Sequence, residues 1–147
     1  MYKYSTISTM ISTKIVIKAP ASTVWKALTD KSQMKEWYFD IPDFNLEEGA
    51  TFYFYEPGGA NEYHHRCQIR EVIPHTKLSY TWRHPSHSKE ESVVSWFLKE
   101  VDEGTEVILQ HEGIENFADA GPAFARESYQ VGWEELLLML KNHITES

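Results

Sequence analysis

Residues Gly121 to Ser147 read GPAFARESYQVGWEELLLMLKNHITES. Tyr129, Trp133, Leu136, Leu137, Leu140 and Ile144 recur at helical spacing, so the stretch reads as one long amphipathic helix. Pro122 lies near its start, where a missing N–H does no harm. At the usual rise the helix would run about 35 Å, well beyond the average globular helix of about 11–12 residues. Such a helix needs a broad apolar partner. A long helix gripping a curved sheet leaves a space between the two, and that space is where function is sought.

The partner lies immediately upstream. Thr51–Tyr55, Glu62–Ile73, Lys77–Arg83, Glu91–Glu100 and Thr105–Glu112 read as strands rich in β-branched and aromatic residues. Glu56-Pro57-Gly58-Gly59-Ala60-Asn61 is a strong turn signal, Pro74 ends one strand, and Asp102-Glu103-Gly104 closes a hairpin. Alternation sorts the side chains onto two faces. Phe52, Phe54, Cys67, Ile69, Leu78, Tyr80, Trp82, Val94, Trp96, Leu98, Val107, Leu109 and His111 fall on one. The other carries Gln68, Arg70, Ser79, Thr81, Ser95, Lys99, Glu106 and Gln110. The second set is polar, so the first faces the helix.

Further toward the N-terminus, Lys14–Lys18 is a short strand that Ala19-Pro20 breaks. Val24, Trp25 and Leu28 mark a helix over about 21–29, and Ser32 is placed to cap a second through Met34 and Trp37. Residues 1–13, rich in Ser and Thr, read as an N-terminal extension, with 14–147 as one domain. Strands segregated from helices define an α+β fold.

The bulk numbers narrow the function. The 147 residues are a usual size for one domain. With 14 basic and 22 acidic side chains the net charge is −8, which argues against nucleic acid and against an anionic membrane surface as partners. A single cysteine, Cys67, precludes an intrachain disulfide and fits a reducing compartment. No apolar run approaches a membrane span, and the N-terminus lacks a signal-peptide core, so a cytoplasmic location is expected. Five Trp, eight Tyr and seven Phe are a heavy load for one small core, so either the core is unusually aromatic or some rings line a cavity.

The ordered segments Ile15-Val16-Ile17-x-Ala19-Pro20, Val24-Trp25-x-Ala27-Leu28-Thr29-Asp30, Trp37, Glu71-Val72-Ile73-Pro74, Leu78-Ser79-Tyr80-Thr81-Trp82, Gly104-Thr105-Glu106-Val107, His111-Glu112-Gly113 and Gly132-Trp133-x-x-x-Leu137 span roughly residues 14–144. Together they resemble the helix-grip superfamily, also called the START or birch-pollen-allergen fold. The resemblance is to the branch named after the activator of the heat-shock-protein-ninety ATPase. It implies a curved antiparallel sheet wrapped around a long C-terminal helix, with two short helices after the first strand. The superfamily includes lipid carriers, hormone receptors, cyclases and co-chaperone domains, so fold alone does not fix function.

The residues expected to line a cavity are Trp37, Phe52, Phe54, Cys67 and Ile69, then Tyr80, Trp82, Val94, Trp96 and Leu109, then His111, Phe124, Tyr129, Trp133 and Leu137. The alternative is that they fill the core. Gly132 beside Trp133 would let helix and sheet approach closely. His111, Tyr80 or Tyr129 would orient a ligand. His111 is also the residue to weigh as an acid or base, against a histidine satisfied by its local surroundings. Cys67, with Tyr63 and His65 on the same strand face, is weighed as a nucleophile against a small buried hydrophobe. Arg126, early in the long helix, is weighed as an anchor for a carboxylate against a solvated side chain. Of the seven histidines, His84-x-x-His87 in a polar loop is weighed as a metal site against solvated side chains, and most are expected to be solvated. No metal, cofactor or catalytic residue is assigned. The leading expectation is a non-enzymatic module that binds a small apolar or amphipathic molecule between the C-terminal helix and the sheet. The rivals are a cyclase-like enzyme using the same cavity and a chaperone-associated protein–protein module.

Overall fold

The computed structural model describes residues 10–38, 41, 44–56, 63–83, 91–113 and 126–145. Strand β1 (Ile11–Ile17) is followed by helices α1 (Ala21–Thr29) and α2 (Lys31–Trp37). Then come β2 (Thr51–Glu56), β3 (Tyr63–Ile73), β4 (Lys77–Arg83), β5 (Glu91–Val101), β6 (Gly104–Glu112) and α3 (Arg126–Thr145). The strands form one sheet of six in the order β1-β6-β5-β4-β3-β2, every neighbouring pair antiparallel. With α3 laid against this curved sheet, the architecture is the helix-grip fold.

The inner face follows strand alternation. Phe52, Cys67, Ile69, Leu78, Tyr80, Trp82, Val94, Trp96, Leu98, Val107, Leu109 and His111 are all buried. From α3, Trp133, Leu137 and Leu140 are buried against them, with Tyr129, Leu136 and Ile144 packed at the margins. The described helix has 20 residues, about 30 Å. Residues 121–125, including Pro122 and Phe124, lie outside the described residues.

Several expectations are corrected. β1 starts at Ile11 rather than Lys14, because fully buried Ile11 pairs with His111 on β6 and extends the edge of the sheet into residues assigned to the N-terminal extension. Ser32 does not cap α2. Asp30 does, accepting from the Ser32 N–H at 3.0 Å and the Ser32 hydroxyl at 2.8 Å. Those hydrogen bonds hold the Asp30 carboxyl below its usual range. Asp30 also ends α1, its own N–H donating to the Lys26 carbonyl.

On the outer face, Ser79, Thr81 and Ser95 are buried. Their short side chains sit on the two central strands and are satisfied locally: Ser79 meets Ser95 hydroxyl to hydroxyl at 3.2 Å, and Thr81 Oγ1 accepts the Gln68 N–H at 2.8 Å. The latter bond adjoins the register shift between Ile69 and Glu71, where the β3–β4 ladder is interrupted.

Gly132 does not mediate a close approach. A Cβ built there meets nothing within 4 Å, because it is the Trp133 side chain, not the glycine, that faces the sheet. Gly132→Ala is therefore expected to stabilise the protein, by about 0.5–1 kcal/mol, through the lower helix propensity of glycine. A chemical denaturation midpoint that stays the same or falls would contradict this placement.

Candidate functional site

Two aromatic clusters share the inner face. The first is set by register. Trp82 on β4 stands opposite Ser92 on β5, and Val94 stands opposite His111 on β6, so Trp82, Ser92 and His111 are brought side by side. Trp133 descends from α3 onto this group. Its ring centroid lies 5.2 Å from that of Trp82, 6.2 Å from Trp96 and 5.7 Å from His111. Tyr129 stands edge-on to His111 at 5.1 Å, and His65 packs on Trp82 at 4.4 Å. These rings pack against one another between α3 and the sheet.

His111, fully buried, is the hub of a hydrogen-bond chain. The Trp133 indole N–H donates to Nδ1 at 3.0 Å. An indole only donates, so Nδ1 carries no proton and the ring is the Nε2–H tautomer. Nε2–H then donates to Ser92 Oγ at 2.6 Å, and the Ser92 hydroxyl donates to the Trp82 carbonyl at 3.2 Å. Every polar atom of the ring is used in its neutral form. Protonation would set Nδ1–H against the indole N–H. Burial, reinforced by nearby His65, lowers the His111 pKa to about 3. His111 thus fixes α3 to the sheet and is committed as a neutral group.

The second cluster encloses a cavity. Leu28 of α1 and Met34 and Trp37 of α2 form its roof, with Tyr38 at the end of α2 and Phe44 beyond it. Its floor is Phe52 of β2, Leu78 and Tyr80 of β4, and Trp96 of β5. The volume is about 10 Å³, room for about one water. Six rings surround it, mostly edge to face: Trp37 on Trp96 at 86°, Tyr38 on Trp96 at 87°, Phe52 on Tyr80 at 71° and Phe44 on Phe52 at 69°. The polar groups are few. Tyr80 Oη accepts from the Trp96 indole at 2.9 Å and shares a 3.0 Å hydrogen bond with the Tyr38 hydroxyl. The Trp37 indole donates to the Ala27 carbonyl at 2.8 Å. Burial pushes the Tyr80 phenol well above the ordinary tyrosine range, so it keeps its proton.

Of the expected site residues, Trp37, Phe52, Tyr80 and Trp96 line this cavity. Trp82, His111, Tyr129 and Trp133 form the first cluster instead. Cys67, Ile69, Val94, Leu109 and Leu137 are buried in the core away from the cavity wall. Phe54 is on β2, with its side chain outside the described residues, as is Phe124. Leu28, Met34, Tyr38, Phe44 and Leu78 complete the wall. Met34, Trp37 and Tyr38 share the i, i+3, i+4 spacing of one helix face, a signal available in the sequence. Phe44 lies between elements, where no periodicity marks it.

Among the other candidates, Cys67 is fully buried and burial pushes its thiol well above the ordinary range, so it stays protonated and is no nucleophile. His65 is buried rather than solvated, His75 is exposed, and His143 ties α3 to α2 through a 3.1 Å contact with Gln33 Oε1. Arg126 opens α3. Among the described residues no group of His, Cys, Asp and Glu converges to hold a metal, and no helix is long and apolar enough to cross a membrane.

A layered sheet, a gripping C-terminal helix and an aromatic chamber beneath two short helices define a helix-grip protein. A family model described as Activator of Hsp90 ATPase homolog 1-like protein matches residues 18–145, and the chain belongs to this family. No curated protein matches. Among solved structures, protein CV1439 from Chromobacterium violaceum is 19% identical with a TM-score of 0.80, over 92% of this chain and 96% of that one. Protein BH1534 from Bacillus halodurans is 26% identical with a TM-score of 0.72, over 92% and 96%. The Aha1 dimer from Colwellia psychrerythraea is 23% identical with a TM-score of 0.73, over 92% and 95%.

Proposed function

We propose that this protein binds a small apolar or amphipathic molecule, and that the binding site is the chamber between the α1–α2 roof and the floor formed by β2, β4 and β5. The observation that carries this reading is the convergence of six rings on a cavity whose polar groups are concentrated at the Tyr38–Tyr80 pair. The fold of this family commonly holds hydrophobic ligands, which supports it. Ligand pockets typically measure about 300–1,000 Å³, so the chamber must expand to be filled. The roof has the means: Met34 is an unbranched, adaptable side chain, and Phe44 stands outside any helix or strand. Affinity would come from apolar burial, about 25 cal/mol per Å² before the costs of association. The single buried cysteine fits a cytoplasmic setting.

Native mass spectrometry of freshly purified protein tests this reading. A discrete added mass, lost on denaturation and absent from a folded Met34→Trp variant whose roof is filled, is the expected result. An added mass of the same size in that variant would place the ligand elsewhere.

A second reading, a surface that docks a protein partner, has its own support. Val131, Leu138 and Met139 are exposed on α3, 54%, 54% and 46% accessible. It is favoured if charged substitutions there abolish a partner's capture while leaving the chamber's ligand in place. The cyclase-type reading needs an inward acid or base, and His111 does not supply one, because its neutral ring is fully committed to Trp133 and Ser92.

A further inference from the structure

We infer that the ligand of this chamber is uncharged and carries a hydrogen-bonding oxygen that seats against the Tyr80 hydroxyl. The inference rests on the chamber being the binding site, and it names the chemistry the site selects.

Among the described residues the wall carries no charge: none of the nine that line the chamber is Asp, Glu, Lys, Arg or His. A carboxylate or ammonium entering would give up its hydration with no counter-ion to replace it, a penalty far larger than the apolar burial of a small molecule returns. The net charge of −8 adds a further bias against anions approaching at all.

An oxygen is selected by the hydrogen-bond capacity of Tyr80. A phenol hydroxyl has one donor and two acceptor positions. The Trp96 indole N–H takes one acceptor position, and the contact with the Tyr38 hydroxyl takes a second position, as donor or acceptor. The third position belongs to an oxygen on the chamber wall, in a residue only 3% exposed to solvent. It is open to a ligand. The Trp37 indole does not compete for that role, because the Ala27 carbonyl already accepts its proton. Polar recognition is therefore concentrated at one point in an otherwise apolar, ring-lined space. Alcohols and phenols on a compact apolar frame satisfy both conditions whichever way the Tyr38–Tyr80 hydrogen bond runs, and ketones do so where Tyr38 donates and the Tyr80 O–H is left for the ligand. Fatty acids and other carboxylates fail the first, and plain hydrocarbons forgo the second.

Three matched probes separate these cases: 1-phenylethanol, ethylbenzene and benzoate, each titrated into the full chain and followed through the indole N–H resonances of Trp37 and Trp96. In the wild type, 1-phenylethanol and ethylbenzene are expected to shift these resonances saturably and benzoate is not. Tyr80→Phe is expected to weaken 1-phenylethanol about 3- to 10-fold, the value of one hydrogen bond, with ethylbenzene changed by less than about twofold. Tyr38→Phe leaves Tyr80 in place and loosens its partner, so a smaller loss confined to 1-phenylethanol is expected there. That variant carries the test should Tyr80→Phe fail to fold. Benzoate binding as tightly as 1-phenylethanol, or an equal loss for both neutral probes in the variants, overturns the inference while leaving the chamber a binding site. Failure of all three probes to move either indole overturns the chamber reading itself.

Discussion

Gly104→Ala is expected to be among the most damaging single substitutions in this protein, lowering stability by about 3 kcal/mol or more. Gly104 opens β6 with φ +140°, a conformation that residues with a Cβ avoid. A Cβ added there would overlap the Ile17 carbonyl oxygen and stand 2.9 Å from Lys18 Cα and 3.0 Å from Ala19 N. All of these are backbone atoms, so no side chain can turn aside. Relief requires moving the end of β1, where Ile17 pairs with Thr105 and the Thr105 hydroxyl donates to the Ala19 carbonyl at 2.7 Å. For a chain of this size the loss corresponds to a fall in melting temperature of roughly 6–12 °C. Thermal denaturation checks it, and the Gly132→Ala protein, expected to move the opposite way, is the internal control. A Gly104→Ala protein that melts with the wild type would mean β1 does not approach β6 this closely.

Acid is expected to weaken the fold through His111, and the sign follows from its buried neutral state. The folded pKa is near 3, against about 6.5 for an unfolded histidine. Between those values the unfolded chain binds the proton and the folded chain does not, so stability falls as pH drops from about 6.5 toward 3. Above that window the contribution is fully present. At about 1.4 kcal/mol per pH unit, the accumulated loss is on the order of 3–5 kcal/mol. Urea denaturation at a series of pH values measures it. In His111→Gln the acid-side slope is expected to flatten by roughly the uptake of one proton. The variant is less stable at pH 7, because the amide cannot reproduce both ring contacts. Identical slopes in the two proteins would show that another group controls the acid limb.

Much of this architecture is legible in the sequence because strand alternation is a strong signal when the two faces differ in polarity. Leu78, Tyr80 and Trp82 on β4 and Val94, Trp96 and Leu98 on β5 alternate with Ser, Thr or Lys at most positions, and all six are buried. The helical repeat of Trp133, Leu137 and Leu140 is equally plain. What alternation does not carry is which inward rings meet. The set Trp82–His111–Trp133 and the set Trp37–Tyr80–Trp96 look alike in sequence, yet the first is locked by direct hydrogen bonds and the second surrounds a cavity. That distinction depends on register and on the placement of α1 and α2, which are long-range facts. Two boundaries differ from the expectation, one for a local reason and one for a long-range one. Asp30 and Ser32 are both good capping residues, and only geometry shows which one accepts. The start of β1 at Ile11 is set by pairing with a strand near the other end of the chain.

That pairing also governs the order of assembly. Strands β2 to β5 are joined in sequence by hairpin connections and can associate as soon as they exist. β1 cannot, because Ile11 waits for His111, 100 residues later. During synthesis β1 is therefore made well before its sheet partner, and it must remain available until β6 is made. Such a distant closure is slow, because the loop entropy is lost before the contacts form. In the interval the open edge of β6 or the waiting β1 is exposed to pairing with another chain. The vulnerable moment thus lies before β6 closes on β1, and a truncation that removes β1 would prolong it indefinitely.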